Sequence, residues 1–332
     1  MLTGGRTQRG GVFAVERVVL DVDLAMGAPG SDIDDGFALA LALADPGIAL
    51  ELVTTVNGNT DADTATALTL ELLHRLGRPD VPVVRGATRP LVRPQARQGS
   101  LPEDVPVREP REGVAAEAMV EIVRAHPGEI TLVAVGPLTN VALAMRLDPG
   151  FAGALKSLVI MGGVFEGQTN NAAMPGEFNI WCDPEAAAVV LDSGIAAKWV
   201  GLDVTLQVRV ERAQALEMAA SDRQFTAFAG EYTAAWIDHI AEIDEPGITS
   251  CAMHDPLAVA AVTRPDLLTW RDAHVAVSQA DLTRGVMVCD FRCTGSGPDG
   301  TPRPARPNAS VAVAVDVAGF NNHFLKNLEA IA

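Results

Sequence analysis

Cysteine is scarce in this chain. The four residues Cys182, Cys251, Cys289 and Cys293 are too few for a disulfide framework and fit a reducing cytoplasm. Cys289 and Cys293 lie in the strand-like run GVMVCDFRC, where a four-residue spacing puts both side chains on one face. A zinc site needs two further ligands, so buried strand thiols are the expectation. Basic residues are also scarce. The net charge of −17 removes the basic surface by which proteins hold nucleic-acid phosphates. No apolar run approaches the roughly 20 residues of a membrane span. The opening MLTGGRTQRGGVFAVER has no apolar core of the signal-peptide kind and reads, over residues 1–14, as a flexible lead-in. Internal repeats, low-complexity tracts and linkers are lacking too, so 1–332 reads as one domain.

What is present fits an ordinary soluble globular protein: 48% hydrophobic and 20% charged residues. Continuous apolar runs alternate with segments of helical spacing. The strands expected are Val18–Leu20, Leu50–Val56, Val81–Val84, Ile130–Val135, Leu155–Met161 and Lys198–Val204. The helices between them open at about Ile33–Asp35, at Thr60 or Asp61, at Val114, at Pro137–Asn140 and at Asp183-Pro184. Apolar strands alternating with helices predict an α/β fold, a mainly parallel, doubly wound open sheet covered on both faces. Two late runs, Gly285–Phe291 and Ser310–Val317, are expected as added edge strands. The long Pro- and Arg-rich loop up to Pro110 is either functional or mobile.

Residues 18–45 organise the rest. Asp21 and Asp23 stand at the end of the first strand, and Asp32, Asp34 and Asp35 at the start of the first helix. Carboxylates in a first helical turn complement the macrodipole, which explains one or two of them as caps. It does not explain the pair on the facing strand end. Converging carboxylates repel unless a cation or proton lies among them, and oxygen-rich clusters suit Ca²⁺ or Mg²⁺. Ligands of open α/β sheets bind at the carboxyl ends of strands, where this cluster sits. Far downstream, His254-Asp255-Pro256 opens another helix. There Asp255 reads as an N-cap with Pro at N1, which does not prevent either residue from facing a site.

The segments DVD…DIDDGFALALAL, TTVNGNT, VAVGPLTNVALA, MGG…GEFNIWCDPEAA and HDPLAVA occur in this order. Together they resemble the inosine–uridine-preferring nucleoside hydrolase family from about Val18 to Pro265. The resemblance implies an α/β fold with Ca²⁺ at the carboxyl ends of the strands and hydrolysis of the N-glycosidic bond of ribonucleosides. It implies Asp23, Asp35, Asp255 and the Val135 carbonyl as metal ligands, with Asp23 also the base toward water. Asp34 is implied on ribose hydroxyls. Asn59, Met161, Asn171, Glu177 and Asn179 are implied around the substrate, Asp21 behind the metal ligands, and His254 near the leaving base as its proton donor. A cytoplasmic dimer or tetramer serving purine or pyrimidine salvage is implied as well.

Two departures stand out. The family places three residues between the second Asp of its first motif and the Asp-Asp pair; here Leu24–Ile33 are ten. Either the extra seven bulge outward and leave both ends in place, or Asp32 takes the role of one of the pair. The family's His-Gly motif is missing from Gly99–Pro106, so recognition on the base side differs. Tyr232, Trp236 and His239 lie on one helical segment and read as core or lid packing, with Tyr232 and Trp236 able to stack on a base. Two rival readings remain: a Mg²⁺-dependent phosphatase of the Asp-x-Asp type, and a nucleoside- or ribose-binding homologue without turnover. The phosphatase needs a later Lys after a suitable loop; Lys156, Lys198 and Lys326 do not supply one.

Overall fold

A computed structural model describes residues 15–28, 30–93, 97–103, 105–167, 172–243, 246–296, 299 and 301–331. The proposed lead-in and Asn171 lie outside the described residues. Nine strands form the central sheet among the described residues. From edge to edge they run Met287–Asp290, Leu268–Val277, Ala309–Val315, Ala197–Val200, Ser157–Met161, Ile130–Ala134, Glu16–Val22, Ile48–Thr55 and Val83–Arg85. Seven of these, from Ala309–Val315 to Val83–Arg85, run parallel to one another. Leu268–Val277 and Met287–Asp290 add antiparallel pairs at one end.

The period-two alternation of each strand feeds two cores. Val18, Leu20 and Val22 pack on the face of the helices Asp34–Ala44, His254–Thr263 and Val317–Leu328. Val19, Leu132, Leu158, Ile160 and Trp199 pack on the face of Ala115–Ala125, Thr139–Leu147 and Pro184–Leu191. Strands buried on both sides are mainly apolar, as the middle of the first strand, Val18-Val19-Leu20, is. The first strand lies between Ile48–Thr55 and Ile130–Ala134. The chain therefore winds outward in one direction, returns to the middle, and winds out in the other. The crevice at that reversal is where an open α/β sheet binds ligands, and Asp21, Asp23 and Val135 stand at its lip.

Several expectations are corrected. Ser310–Val317 is not an edge: Ala309–Val315 lies inside the sheet, parallel to Ala197–Val200 and antiparallel to Leu268–Val277. The strand at Lys198 stops at Val200, and Leu202–Thr205 is a helical turn. Cys289 and Cys293 do not share a strand face. The strand ends at Asp290, a turn follows, and Cys293 takes φ 53°. Asp255 is not an N-cap: the helix begins at His254 with Met253 as its cap. Asp61 caps the Ala62–Arg75 helix through the N–H groups of Asp63 and Thr64, and Asp183 caps Pro184–Leu191 through Ala186.

Candidate active site

The first helix has no side-chain cap; Ile33 occupies the cap position. Asp34 and Asp35 are thus buried without serving as N-caps. Oxygens of Asp34, Asp35 and Asp255 lie within 4.8 Å of one another, although Asp255 is over two hundred residues away. The Asp34–Ala44 and His254–Thr263 helices bring their N-termini together there, and the Asp255 N–H donates to Asp34 Oδ2 at 3.1 Å. Two positive helix ends aimed at one carboxylate cluster offset part of its negative charge.

Asp23 closes the cluster from the strand side. Its N–H donates to Asp35 Oδ1 at 3.1 Å. Its Oδ2 accepts from the Asn59 N–H at 2.7 Å, and Asn59 Nδ2 donates to Asp35 Oδ2 at 3.0 Å. Asp23 Oδ1 is buried with no hydrogen-bond partner among the described residues. The backbone approaches so closely that a Cβ on Gly58 would stand 2.0 Å from Asp23 Oδ2, and one on Gly136 2.7 Å from Oδ1. Asp21 lies behind, its Oδ1 accepting from Thr54 Oγ1 at 2.6 Å and Asn140 Nδ2 at 2.8 Å.

Burial pushes the Asp21 and Asp23 carboxyls up to about 7; hydrogen bonds to Asp21 and the Asn59 N–H on Asp23 oppose it. Burial, then mutual repulsion, holds Asp34, Asp35 and Asp255 well above the usual carboxylate range. An all-oxygen set of buried carboxylates, one with an orphan oxygen, fits a hard divalent cation.

A pocket of about 320 Å³ opens on this cluster, lined among others by Asp34, Asn59, Val135, Met161, Glu177, Asn179, His254 and Asp255. Glu177 caps the short Phe178–Cys182 helix, accepting from the N–H groups of Asn179, Ile180 and Gly163. Burial still raises its carboxyl against those three donors. Asn179 Nδ2 donates to the Val135 carbonyl at 2.7 Å, leaving that oxygen a second lone pair. His254 Nδ1 lies 2.7 Å from Thr205 Oγ1. Burial, then the Arg209 charge, lowers the imidazole to about 4, so it is neutral at pH 7.

All the site residues expected from the sequence that are described thus meet at this pocket or directly behind it. The insertion leaves both of its ends in place, as the first of the two readings had it, but it does not bulge outward. Leu24, Ala25 and Met26 are buried in the core, and Gly27 and Gly30 approach Phe228 and His239 of the Gln224–Ile243 helix. Asp32 lines the pocket, its Oδ1 accepting from the Ile33 N–H and its carboxyl hydrogen-bonded to that of Asp34, at the edge of the three-carboxylate group. Trp236 lines the pocket and stacks on His239; Tyr232 packs on Phe228 beside a different cavity.

Sequence reasoning missed Thr54, Asn140, Thr205 and Arg97. The first three are ordinary helix and strand residues whose roles appear only through contacts 33 to 119 residues apart. Arg97 lies in the loop that lacks the His-Gly motif. Asn57 holds its backbone at both N–H and carbonyl, and its guanidinium lies 5.2 Å from the Phe178 ring centre, lining the pocket. The missing motif was the available signal.

A family model described as inosine-uridine preferring nucleoside hydrolase matches residues 18–322. Uridine nucleosidase 1 of Arabidopsis thaliana is 35% identical over 319 residues, 92% of this chain and 90% of its own. A solved plant nucleoside hydrolase, PpNRh1, superposes with a TM-score of 0.82 at 28% identity, covering 94% of this chain and 98% of that one. A purine-preferring ribonucleoside hydrolase from Gardnerella vaginalis gives 0.81 at 26% identity, covering 95% and 99%. The chain belongs to the inosine–uridine preferring nucleoside hydrolase family, and is with it an enzyme that hydrolyses the N-glycosidic bond of ribonucleosides.

Proposed function

We propose that this chain releases ribose and a free base from ribonucleosides with a calcium ion held by its buried carboxylates. The observation that carries the reading is the meeting of Asp23, Asp34, Asp35 and Asp255, from segments far apart in the chain, on the floor of a pocket walled by amides, a carboxylate and an imidazole. Asp23, Asp35, Asp255 and the Val135 carbonyl would hold the ion. Bound there, it would supply positive charge that anchors ribose hydroxyls and makes water easier to ionise.

The residues of the chain do the rest. A ribosyl centre leaves its base through an oxocarbenium-like state. Asn59, Glu177 and Asn179 offer donors and acceptors in fixed positions to the sugar hydroxyls, and Asp34 joins them from the cluster. Asp23 takes a proton from the attacking water through the oxygen left unpaired by the fold. The water oxygen bonds C1′ as the C1′–N bond breaks, and the electron pair leaves with the base. His254 faces that departing nitrogen. Because its imidazole is neutral at pH 7, it acts as a hydrogen-bond donor to the developing negative charge; full transfer of its only ring proton would leave an imidazolate. Asp23 then gives its proton up to solvent and the departing base takes one up, so atoms and charge balance. The products suit base salvage, and the reading includes a cytoplasmic dimer or tetramer.

A reducing-sugar assay on purified protein with uridine and with inosine tests this, because the relatives' printed names divide between uridine and purines. Ribose release that EDTA abolishes and calcium restores is the expected result. Phosphate release from a phosphomonoester would favour a phosphatase instead, and nucleoside binding without ribose release a catalytically impaired binder.

A further inference from the structure

Thr205 ends the short Leu202–Thr205 helix and is fully buried. Its Oγ1 meets His254 Nδ1 at 2.7 Å, and that nitrogen is the hydroxyl's one hydrogen-bond partner among the described residues. A buried hydroxyl needs an acceptor for its hydrogen. If Nδ1 carried a proton, in the neutral ring or the imidazolium, it would donate to Oγ1. The hydroxyl's own hydrogen would then be buried without an acceptor. If the hydroxyl donates, Nδ1 is the acceptor and the ring proton sits on Nε2.

We infer that Thr205 is a positioning residue that locks His254 in its Nε2–H tautomer, so that the nitrogen left for the pocket is a donor. The inference rests on the reading of His254 as the group facing the leaving base, and deepens it. The opposite tautomer would present a lone pair to a nitrogen that is gaining electrons, and would repel it. Thr205 thus acts through the imidazole and touches no reacting atom. Leu202 and Leu206, close by in sequence, line the same pocket, while Thr205 itself is fully buried.

The test uses full-length protein with calcium chloride present and ¹⁵N-labelled histidine. Ring nitrogen–proton correlation spectra report the tautomer, and loss of one signal set in His254→Gln assigns it among the six histidines. The expected result is a protonated Nε2 and an unprotonated Nδ1 in the wild type and in Thr205→Ser, with a mixture in Thr205→Val. On uridine or inosine, Thr205→Val should lower kcat about 10- to 100-fold with KM nearly unchanged. That is less than the roughly 10⁴-fold a wrong tautomer costs where the histidine must also move a proton. On p-nitrophenyl riboside, whose leaving group needs no assistance, the loss should be slight, and Thr205→Ser should restore the nucleoside rate. A protonated Nδ1 in the wild type overturns the inference even if the valine variant does not fold. So do equal losses on both substrates, or an unchanged kcat. If His254→Gln keeps full turnover, the leaving-base reading fails separately, while the spectra still decide the tautomer.

Discussion

Asp23 is constrained from several sides. One oxygen is fixed by the Asn59 N–H, the other is buried without a partner, and glycines at 58 and 136 are required for the backbone to come so near. Asp23→Asn keeps the shape and removes the proton acceptor. It should cut kcat by roughly 10²–10⁴-fold while circular dichroism stays native; unimpaired turnover would remove Asp23 as the base. Gly58→Ala tests the close approach, since its new Cβ would stand 2.0 Å from the carboxylate. Displacing Asp23 by about 1 Å should cost on the order of 10²-fold in kcat/KM, and wild-type kinetics in that variant would contradict the geometry. At this scale the acidic residues were legible because a carboxylate pair at a strand end has no bland explanation. Asn140, Thr54 and Thr205 were not. A polar residue in an amphipathic helix or strand looks the same whether it faces water or steadies a buried carboxylate.

The first helix is the element on which the pocket floor is built. Residues Asp34 to Ala42 are all buried, because the helix is packed among the sheet and its neighbouring helices. Phe37 meets Phe225 and Phe324 edge-on, at 6.4 and 5.4 Å between ring centres. Phe37→Ala should therefore destabilise the protein by about 3–5 kcal/mol, read as a lowered urea midpoint. A cost under about 1 kcal/mol, the range of ordinary surface changes, would show that the helix is not held this way. Helices and parallel strands were legible from apolar periodicity, and so was the doubly wound class. The interior place of Ala309–Val315 was not: strand order is set by which surfaces pair, and local pattern does not encode it. The Leu24–Ile33 insertion hid its role likewise. Its apolar residues, Leu24, Ala25 and Met26, are core residues here, whereas a bulging loop is one of the two readings the sequence allows.

Over the whole molecule, acidity and metal affinity are linked. Burial raises the carboxyl of Asp21, and burial with repulsion between carboxylates raises those of Asp23, Asp34, Asp35 and Asp255 in the metal-free protein. Their native pKa values exceed the unfolded ones, so the folded state holds more protons, and metal-free stability falls as pH rises from about 4 to 7 and beyond. His254, lowered to about 4, opposes this between about 4 and 6.5, as one group against these carboxyls and the likewise raised Asp32, Glu177 and Asp183. A divalent ion reverses the penalty by favouring the charged carboxylates. Melting temperatures with EDTA should therefore fall with rising pH over that range, and the gain on adding calcium should grow. A gain independent of pH would argue that no buried carboxylate binds the ion.

The most direct measurement is a calcium titration of metal-stripped protein, with bound ion and ribose release followed in the same samples. Ribose release should be negligible at the start, rise in proportion to bound calcium, and level off at one ion per chain, and Asp35→Asn should lose both signals together. Full release from the stripped protein, or none at saturating calcium, would contradict the account.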